Sequence, residues 1–293
     1  KLNLEATQKN RVKLDTKKKN PQDFVLWFTK SKFENHAMQW DSPWGRGYPG
    51  WHIECSAMAK ALLGETIDIH CGGADHIPVH HTNEIAQSHC AHDKPFAHNW
   101  MHGEFLIDSS GKMSKSKGDF LTVSLLEEKG YDPLDYRYLC LMTHYRKQLM
   151  FSWDALDAAA KTLGRIRAKV LECKAVGGSI SEEFKTQFRE AISDDLNTPQ
   201  VLAILQKVIA RSTLSNADKY ATILEIDTVL GLDLANYEPT KVEVPVEINA
   251  LLDARLEARA NKDWTKSDEL RDEIAKLGYV VKDSKETQEV RKA

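Results

Sequence analysis

The stretch from Thr66 to Glu84 limits the possible folds more than any other part of the chain. Thr66-Ile67-Asp68-Ile69-His70 alternates strictly. That predicts a strand with Ile67 and Ile69 toward a core and Asp68 and His70 on the opposite face. Gly72-Gly73 breaks the strand, and Pro78 suits the first turn of a helix. Strand, glycine turn and helix make half of a βαβ unit, and in open α/β sheets ligands gather at the carboxyl ends of the strands. His70 and Asp75 fall at such an end. His80 and Glu84 are four apart, so they share one face of the following helix.

Just upstream, residues 51–63 follow a helical period through Ile53, Ala57 and Ala61, with Met58 and Leu62 beside them. Gly64 is placed to stop that helix. Cys55 then lies in its first turns, where a helix N-terminus favours the thiolate. Thiolate, imidazole and carboxylate are all zinc ligands, and zinc wants four. Cys55, His80 and Glu84 are therefore candidate metal ligands. On spacing alone His81, Cys71, His76 and Cys90 remain eligible too. Three protein ligands leave one position for water or a substrate thiol. Trp51 is a candidate to close over a small substrate, His70 to touch it, and Asp75 to hold an ammonium or a ribose.

A second group of residues lies at Lys112-Met113-Ser114-Lys115-Ser116. Two lysines among small residues in a loop without apolar period suit a triphosphate, because lysine acts as a point charge that can follow developing negative charge.

The five cysteines, Cys55, Cys71, Cys90, Cys140 and Cys173, are odd in number and widely spread. That favours a reducing compartment, with free or metal-bound thiols, over a disulfide scaffold. With 42% hydrophobic and 28% charged residues, the 293-residue chain reads as an ordinary globular protein of about two domains. No apolar run approaches the roughly 20 residues of a membrane span. A net charge of −3 gives no overall basic field, although a local basic face is enough to hold phosphates. The cluster Arg165, Arg167, Lys169 and Lys174 is a candidate for such a face.

Residues 1–20 are polar and lysine-rich and read as a linker or the tail of an insertion, and Asp23–Phe28 reads as a short strand. From about residue 124 the pattern is helical. Leu125, Tyr136, Leu139, Leu141 and Met142 mark buried faces. A long helix over 153–176 carries Leu156, Leu163, Ile166 and Val170, and further helices fit 181–193, the segment from Pro199, and 218–232, as in a bundle. After a polar linker near 236–245 come two more helices, a short strand at Tyr279-Val280-Val281, and ten polar residues expected to fray.

Taken together, Gly50-Trp51-His52-Ile53-Glu54-Cys55-Ser56-Ala57-Met58, Asn83-Glu84-Ile85-Ala86-Gln87-Ser88, Trp100-Met101-His102 and Lys112-Met113-Ser114-Lys115-Ser116 resemble the cysteinyl-tRNA synthetases, a class I family. Asn20–Trp27, His144-Tyr145-Arg146, Asp194–Pro199 and Lys262–Asp272 extend the resemblance over nearly the whole chain. It implies an α/β fold: the second half of a class I Rossmann-type catalytic domain, followed by a mainly α-helical tRNA- and anticodon-binding region. The implied boundaries are 1–40 for the end of a connective insertion and return strand, 41–125 for the catalytic half with zinc site and signature loop, 126–240 for stem contact and helical bundle, and 241–293 for a small C-terminal helical region.

The resemblance also implies a reaction. Cysteine and ATP, with Mg2+, give cysteinyl-adenylate, and the cysteinyl group passes to tRNA(Cys). Zn2+ held by Cys55, His80 and Glu84 selects the substrate thiolate, with a fourth protein ligand expected upstream of Lys1. The signature that grips ATP is expected there too, so the chain alone is expected to be inactive. Lys115, assisted by Lys112, is the implied ATP-binding and catalytic pair, and Trp51, His70 and Asp75 match substrate-pocket positions. A cytoplasmic monomer is implied. Cys71 departs from the family, which usually has glycine there, and puts an extra thiol near the metal. Two alternatives are a non-catalytic tRNA-binding fragment and a ligase joining cysteine to an amino sugar. Residues 155–293 argue against the latter.

Overall fold

The computed structural model describes residues 18–20, 22–31, 36–108, 111–112, 121–239, 245–283 and 288–292. It forms two compact units, Lys1–Ala235 and Asn236–Ala293.

The first unit opens with a two-residue ribbon, β1 (Trp27–Phe28) against β2 (Tyr48–Pro49), antiparallel. Helix α1 (Trp51–Leu63) follows, then β3 (Ile67–Gly73). A 3-10 turn (Ala74–His76) and a π turn (Ile77–His81) lead into α2 (Thr82–His92). Strand β4 (Ala97–Gly103) returns parallel to β3, with Ile67 opposite Ala97 and Gly72 opposite His102. This is the βαβ unit that the glycine turn predicts. Ile67, Phe96 and Ala97 form its small core, with Ala59 and Trp100 packed against it.

A second, three-stranded sheet has the order β6-β5-β7. Strand β5 (Leu106–Asp108) pairs antiparallel with β6 (Gly111–Lys112) and parallel with β7 (Leu149–Met150). Helices α3 (Val123–Glu128) and α4 (Pro133–Leu141) lie between β6 and β7. Asp132 and Asp135 close a reciprocal capping box at the start of α4, which satisfies two amide donors that the first turn leaves open.

The bundle consists of α5 (Trp153–Cys173), α6 (Glu182–Ser193), α7 (Thr198–Ala210) and α8 (Asn216–Leu230). The predicted stripe Leu156, Leu163, Ile166 and Val170 is buried, and it meets Phe184, Leu205, Ile223 and Ile226 in one core. Each such side chain withdrawn from water contributes roughly 1.5–3 kcal/mol. Met142, placed inward by the sequence pattern, is 48% exposed. It caps the C-terminal end of α4, where the helix stops turning.

The second unit pairs α9 (Val246–Ala260) with α10 (Trp264–Lys276) over Ile248, Leu252, Ile274 and Tyr279. Strand β8 (Tyr279–Asp283) then pairs antiparallel with β9 (Gln288–Lys292), Tyr279 opposite Lys292. The tail expected to fray therefore carries a strand. Ladder hydrogen bonds need no apolar side chains, so polarity alone misleads there.

Two more expectations fail for one reason. α1 has the predicted bounds, but no residue in it is fully buried, and Met58 and Leu62 are 54% and 80% exposed. The half-buried stripe is His52, Ile53, Cys55, Ser56 and Ala59, whereas Ala57 and Ala61, predicted inward with Ile53, are exposed. Ile69, predicted inward with Ile67, is 57% exposed. Among the described residues β3 pairs only with β4, so this face of the sheet has little to pack on. The helix instead turns its polar side inward. The basic cluster is thinned as well. Arg167 is buried and bonds Asp132 at 2.9 Å, and Lys169 bonds Glu172 at 2.7 Å.

Candidate metal centre

Three elements converge at the carboxyl end of β3. α1 brings His52 and Cys55 on its inward stripe, β3 brings His70, and the π turn with α2 brings His80, His81 and Glu84. A π turn adds one residue per ring over the α-helix and occurs often at functional sites. Here it leaves both His80 and His81 buried.

Glu84 is the centre of the group, with a fully buried side chain. Its Oε2 lies 2.9 Å from His70 Nε2 in a hydrogen bond. Its Oε1 lies 3.3 Å from His80 Nε2, as the spacing of four predicts, but has no hydrogen-bond partner. A buried carboxylate oxygen left unsatisfied is costly. On the far side of His80, Nδ1 meets His52 Nδ1 at 2.8 Å. His81 Nδ1 meets His102 Nε2 at 2.7 Å. Trp51 lays its ring over His80, centroids 4.5 Å apart, with its outer face exposed. His70 sits edge-on to Phe96 and Trp100.

Gly72 makes the crowding possible. A Cβ there would stand 2.6 Å from His81 Nε2 and 2.8 Å from His76 Nδ1, inside any allowed contact. The glycine break thus serves the rings as well as the turn.

Burial sets the charge states. It pushes the Glu84 carboxyl up to about 7. Burial first, then neighbouring imidazoles, pull His80 down to about 4 and His81 to about 3. Burial also pulls His52, His70 and His102 down. The Cys55 thiol is pushed up by burial and then by the Glu84 and Glu54 carboxylates. At neutral pH the imidazoles are therefore neutral, the form that binds metals, while the thiol holds a proton and the carboxyl is near its midpoint, so a metal would displace protons from both.

Ligand atoms of Cys55, His80 and Glu84 lie within 4.8 Å of one another, and so do those of His70, His81 and Glu84. The donor chemistry fits a zinc ion, and the open Oε1 lies on the His80 side of the carboxylate. Among the described residues no such triad includes Cys71, His76 or Cys90, which narrows the ligand set that spacing left open. Trp51 and His70 stand beside the group. Asp75 is exposed on the 3-10 turn and folds back toward Gly73, so it lies at the edge of the group. Lys112 has a backbone place in β6, and Lys115 lies outside the described residues. The sequence reading gave no role to His52 or His102. His52 precedes Cys55 by three, so both share a helix face, and the parallel register sets His102 beside Gly72.

Comparison with known proteins places this group in a family. Residues 1–161 match the model of the class I (C) tRNA synthetase catalytic domain, and residues 241–291 match the cysteinyl-tRNA ligase anticodon binding domain. A cysteine–tRNA ligase 1 of Burkholderia lata is 47% identical over 272 residues, covering 92% of this chain and 57% of that protein. A cysteine–tRNA ligase of Treponema denticola is 42% identical over 315 residues, covering 96% of this chain and 64% of that protein. The chain thus spans about three fifths of the length of these relatives. A solved leucyl enzyme complex from Agrobacterium radiobacter K84 overlaps 67% of the chain at 14% identity and a TM-score of 0.45, a likeness too remote to bear on the site. The chain belongs to the cysteinyl-tRNA synthetase family of class I synthetases.

Proposed function

We propose that this chain serves a cysteine–tRNA ligase, which joins cysteine to ATP as cysteinyl-adenylate and passes the cysteinyl group to tRNA(Cys). Family membership supports the reaction class. The observation that carries the choice of substrate is the buried Glu84 Oε1, which has no hydrogen-bond partner, lies 3.3 Å from His80 Nε2, and belongs to a carboxylate grouped with His80 and Cys55. A carboxylate oxygen in that state suits a cation.

Cys55, His80 and Glu84 would hold a zinc ion. When bound, zinc supplies a position that takes a thiolate far better than a hydroxyl, so cysteine is separated from serine without an editing site. The chain's own residues do the rest. His70 donates to Glu84 Oε2 and holds the carboxylate in one orientation. His52 fixes the ring of His80 from behind. Such outer contacts are typically worth 10–100-fold in metal affinity. Trp51 covers His80 from solvent and is placed to close over a small substrate, and Asp75 at the rim is the candidate for its ammonium.

Lys112, at the end of the β5–β6 hairpin, and Lys115 would meet the ATP phosphates together with Mg2+. Their charge would stabilise the transition state as pyrophosphate leaves. Residues 126–240 and 241–293 would contact tRNA(Cys), with an affinity that falls steeply with salt. Among the described residues no helix is long and apolar enough to cross a membrane; the cytoplasmic location and monomeric state we assign rest on the family resemblance alone. Cysteine-dependent exchange of labelled pyrophosphate into ATP, measured on the full-length ligase, tests the reading. Exchange with cysteine and not with serine is expected there, and its absence sinks the proposal.

A further inference from the structure

Three consecutive side chains in the turn between α4 and β7 converge on a single residue of the bundle. His144 Nε2 meets the carbonyl oxygen of Asp195 at 2.8 Å. His144 Nδ1 accepts from the Arg146 amide, so Nε2 carries the proton and donates. Tyr145 donates its hydroxyl to Asp195 Oδ1 at 2.6 Å. Arg146 donates from Nε to Oδ2 at 2.5 Å and from Nη2 to Oδ1 at 3.2 Å, a fork on both oxygens. The guanidinium also lies over the Tyr145 ring, 5.3 Å from its centroid.

The residue they hold is strained. Asp195 and Leu196 lie at φ +53° and +56°, two consecutive non-glycine residues in the left-handed region. Such a pair persists only where its surroundings over-determine it. Asn197 and Thr198 then start α7, and the Thr198 hydroxyl donates to the Leu141 carbonyl at 2.9 Å. The bundle is thus tied at this corner to α4 through Thr198 and to the turn after α4 through Asp195.

The other side of the turn leads to the hairpin. The Glu104 amide donates to the Tyr145 carbonyl at 2.8 Å, and Leu149 and Phe151 donate to Phe105 and Ile107. These three bonds root β5, whose partner strand β6 contains Lys112. Arg146 is also close enough to His102 to oppose its protonation, second to burial.

We propose that Arg146, Tyr145 and His144 form a positioning clamp on Asp195 that fixes the root of the β5–β6 hairpin, and with it Lys112, relative to the helical bundle. Its role in catalysis rests on the proposed ligase reading, whereas its mechanical role does not. The clamp gives a contact made on the bundle a covalently short route to the lysine hairpin. The strained turn means that the route holds only while the four side-chain bonds are made.

Amide hydrogen exchange, read residue by residue on the whole chain, tests the clamp. Asp195→Gly removes the carboxylate and lets the backbone keep its positive φ without cost, so this variant should fold. In Asp195→Gly and in Arg146→Ala, exchange at Glu104, Leu149 and Phe151 should speed up by about tenfold or more. Leu205, inside α7, should keep its rate, and Arg146→Lys should recover part of the protection. Unchanged rates at the three amides overturn the proposal. So does an equal acceleration at Leu205, which would mean general loss of stability. In cysteine-dependent pyrophosphate exchange by the full-length ligase, Asp195→Gly should lower kcat about tenfold with the KM for cysteine within about twofold, because it shifts the hairpin and leaves the histidine group in place. An unaltered kcat overturns the catalytic role. Absence of exchange in the unsubstituted protein counts against the ligase reading, and the amide result then decides the clamp alone.

Discussion

Replacing Glu84 with Gln should stabilise the metal-free protein and abolish its response to zinc, two effects of opposite sign from one isosteric change. The side chain has no exposed surface, and burial holds its carboxyl up to about 7 against an ordinary 4.5. At roughly 1.4 kcal/mol per pH unit of displacement, an ionised Glu84 costs the metal-free fold about 3 kcal/mol at pH 8. The sign follows from linkage. A folded pKa above the unfolded one means stability that is full below about 4.5 and lost as pH rises through about 7. His80, held down at about 4, works the other way over roughly pH 4–6.5, so the difference between the two proteins isolates Glu84. Urea unfolding in a chelator, followed by tryptophan fluorescence, is the assay. Glu84→Gln should be more stable by about 1–3 kcal/mol at pH 8, because its amide recovers part of the hydrogen bonding. The two curves should approach each other by pH 5. With zinc added, only the unsubstituted protein should gain stability. A metal-free Glu84→Gln that is less stable at pH 8 would refute the reasoning, because the carboxylate would then be a satisfied structural group.

Other outcomes follow from the same geometry. Cys55→Ala should lower zinc content and cysteine affinity, and unchanged zinc by elemental analysis would remove Cys55 from the ligand set. Zinc affinity should rise with pH by up to about tenfold per displaced proton per unit. The slope should therefore be steeper below about pH 7, where both Glu84 and Cys55 hold protons, than above it; a flat profile in competition titrations would contradict the assignment. Gly72→Ala should push the His81 and His76 rings aside and cut metal uptake while leaving the bundle's melting unchanged. Leu196→Gly should raise stability by about 0.5 kcal/mol, since relief of the left-handed strain outweighs glycine's entropy cost.

The parts of this molecule that could be read from sequence were those where one period dominates. The stripe through Leu156, Leu163, Ile166 and Val170 repeats long enough that only one helix face can be buried. The pair His80 and Glu84 was legible because helical spacing alone makes them neighbours. The face of α1 was not legible. His52, Cys55 and Ser56 are polar, so a hydrophobic period points to the wrong side of a helix whose inward face builds a site. Ile69 misled for a related reason: alternation says which residues share a face, and does not say whether anything covers it. The unsatisfied Glu84 Oε1 and the histidine contacts behind it depend on how three elements meet, and no spacing along the chain encodes that. Here the family resemblance supplied the ligand choice that periodicity left open.

Cobalt in place of zinc tests the central claim most directly. Cobalt(II) bound through thiolate absorbs in the near ultraviolet, and a second thiolate deepens that band. In the cobalt-loaded protein, cysteine should increase the thiolate-to-cobalt absorption and serine should leave it unchanged, while Cys55→Ala should start from a weaker band. A band that ignores cysteine, or one that Cys55→Ala leaves intact, would contradict a centre built from Cys55, His80 and Glu84 to select a thiol.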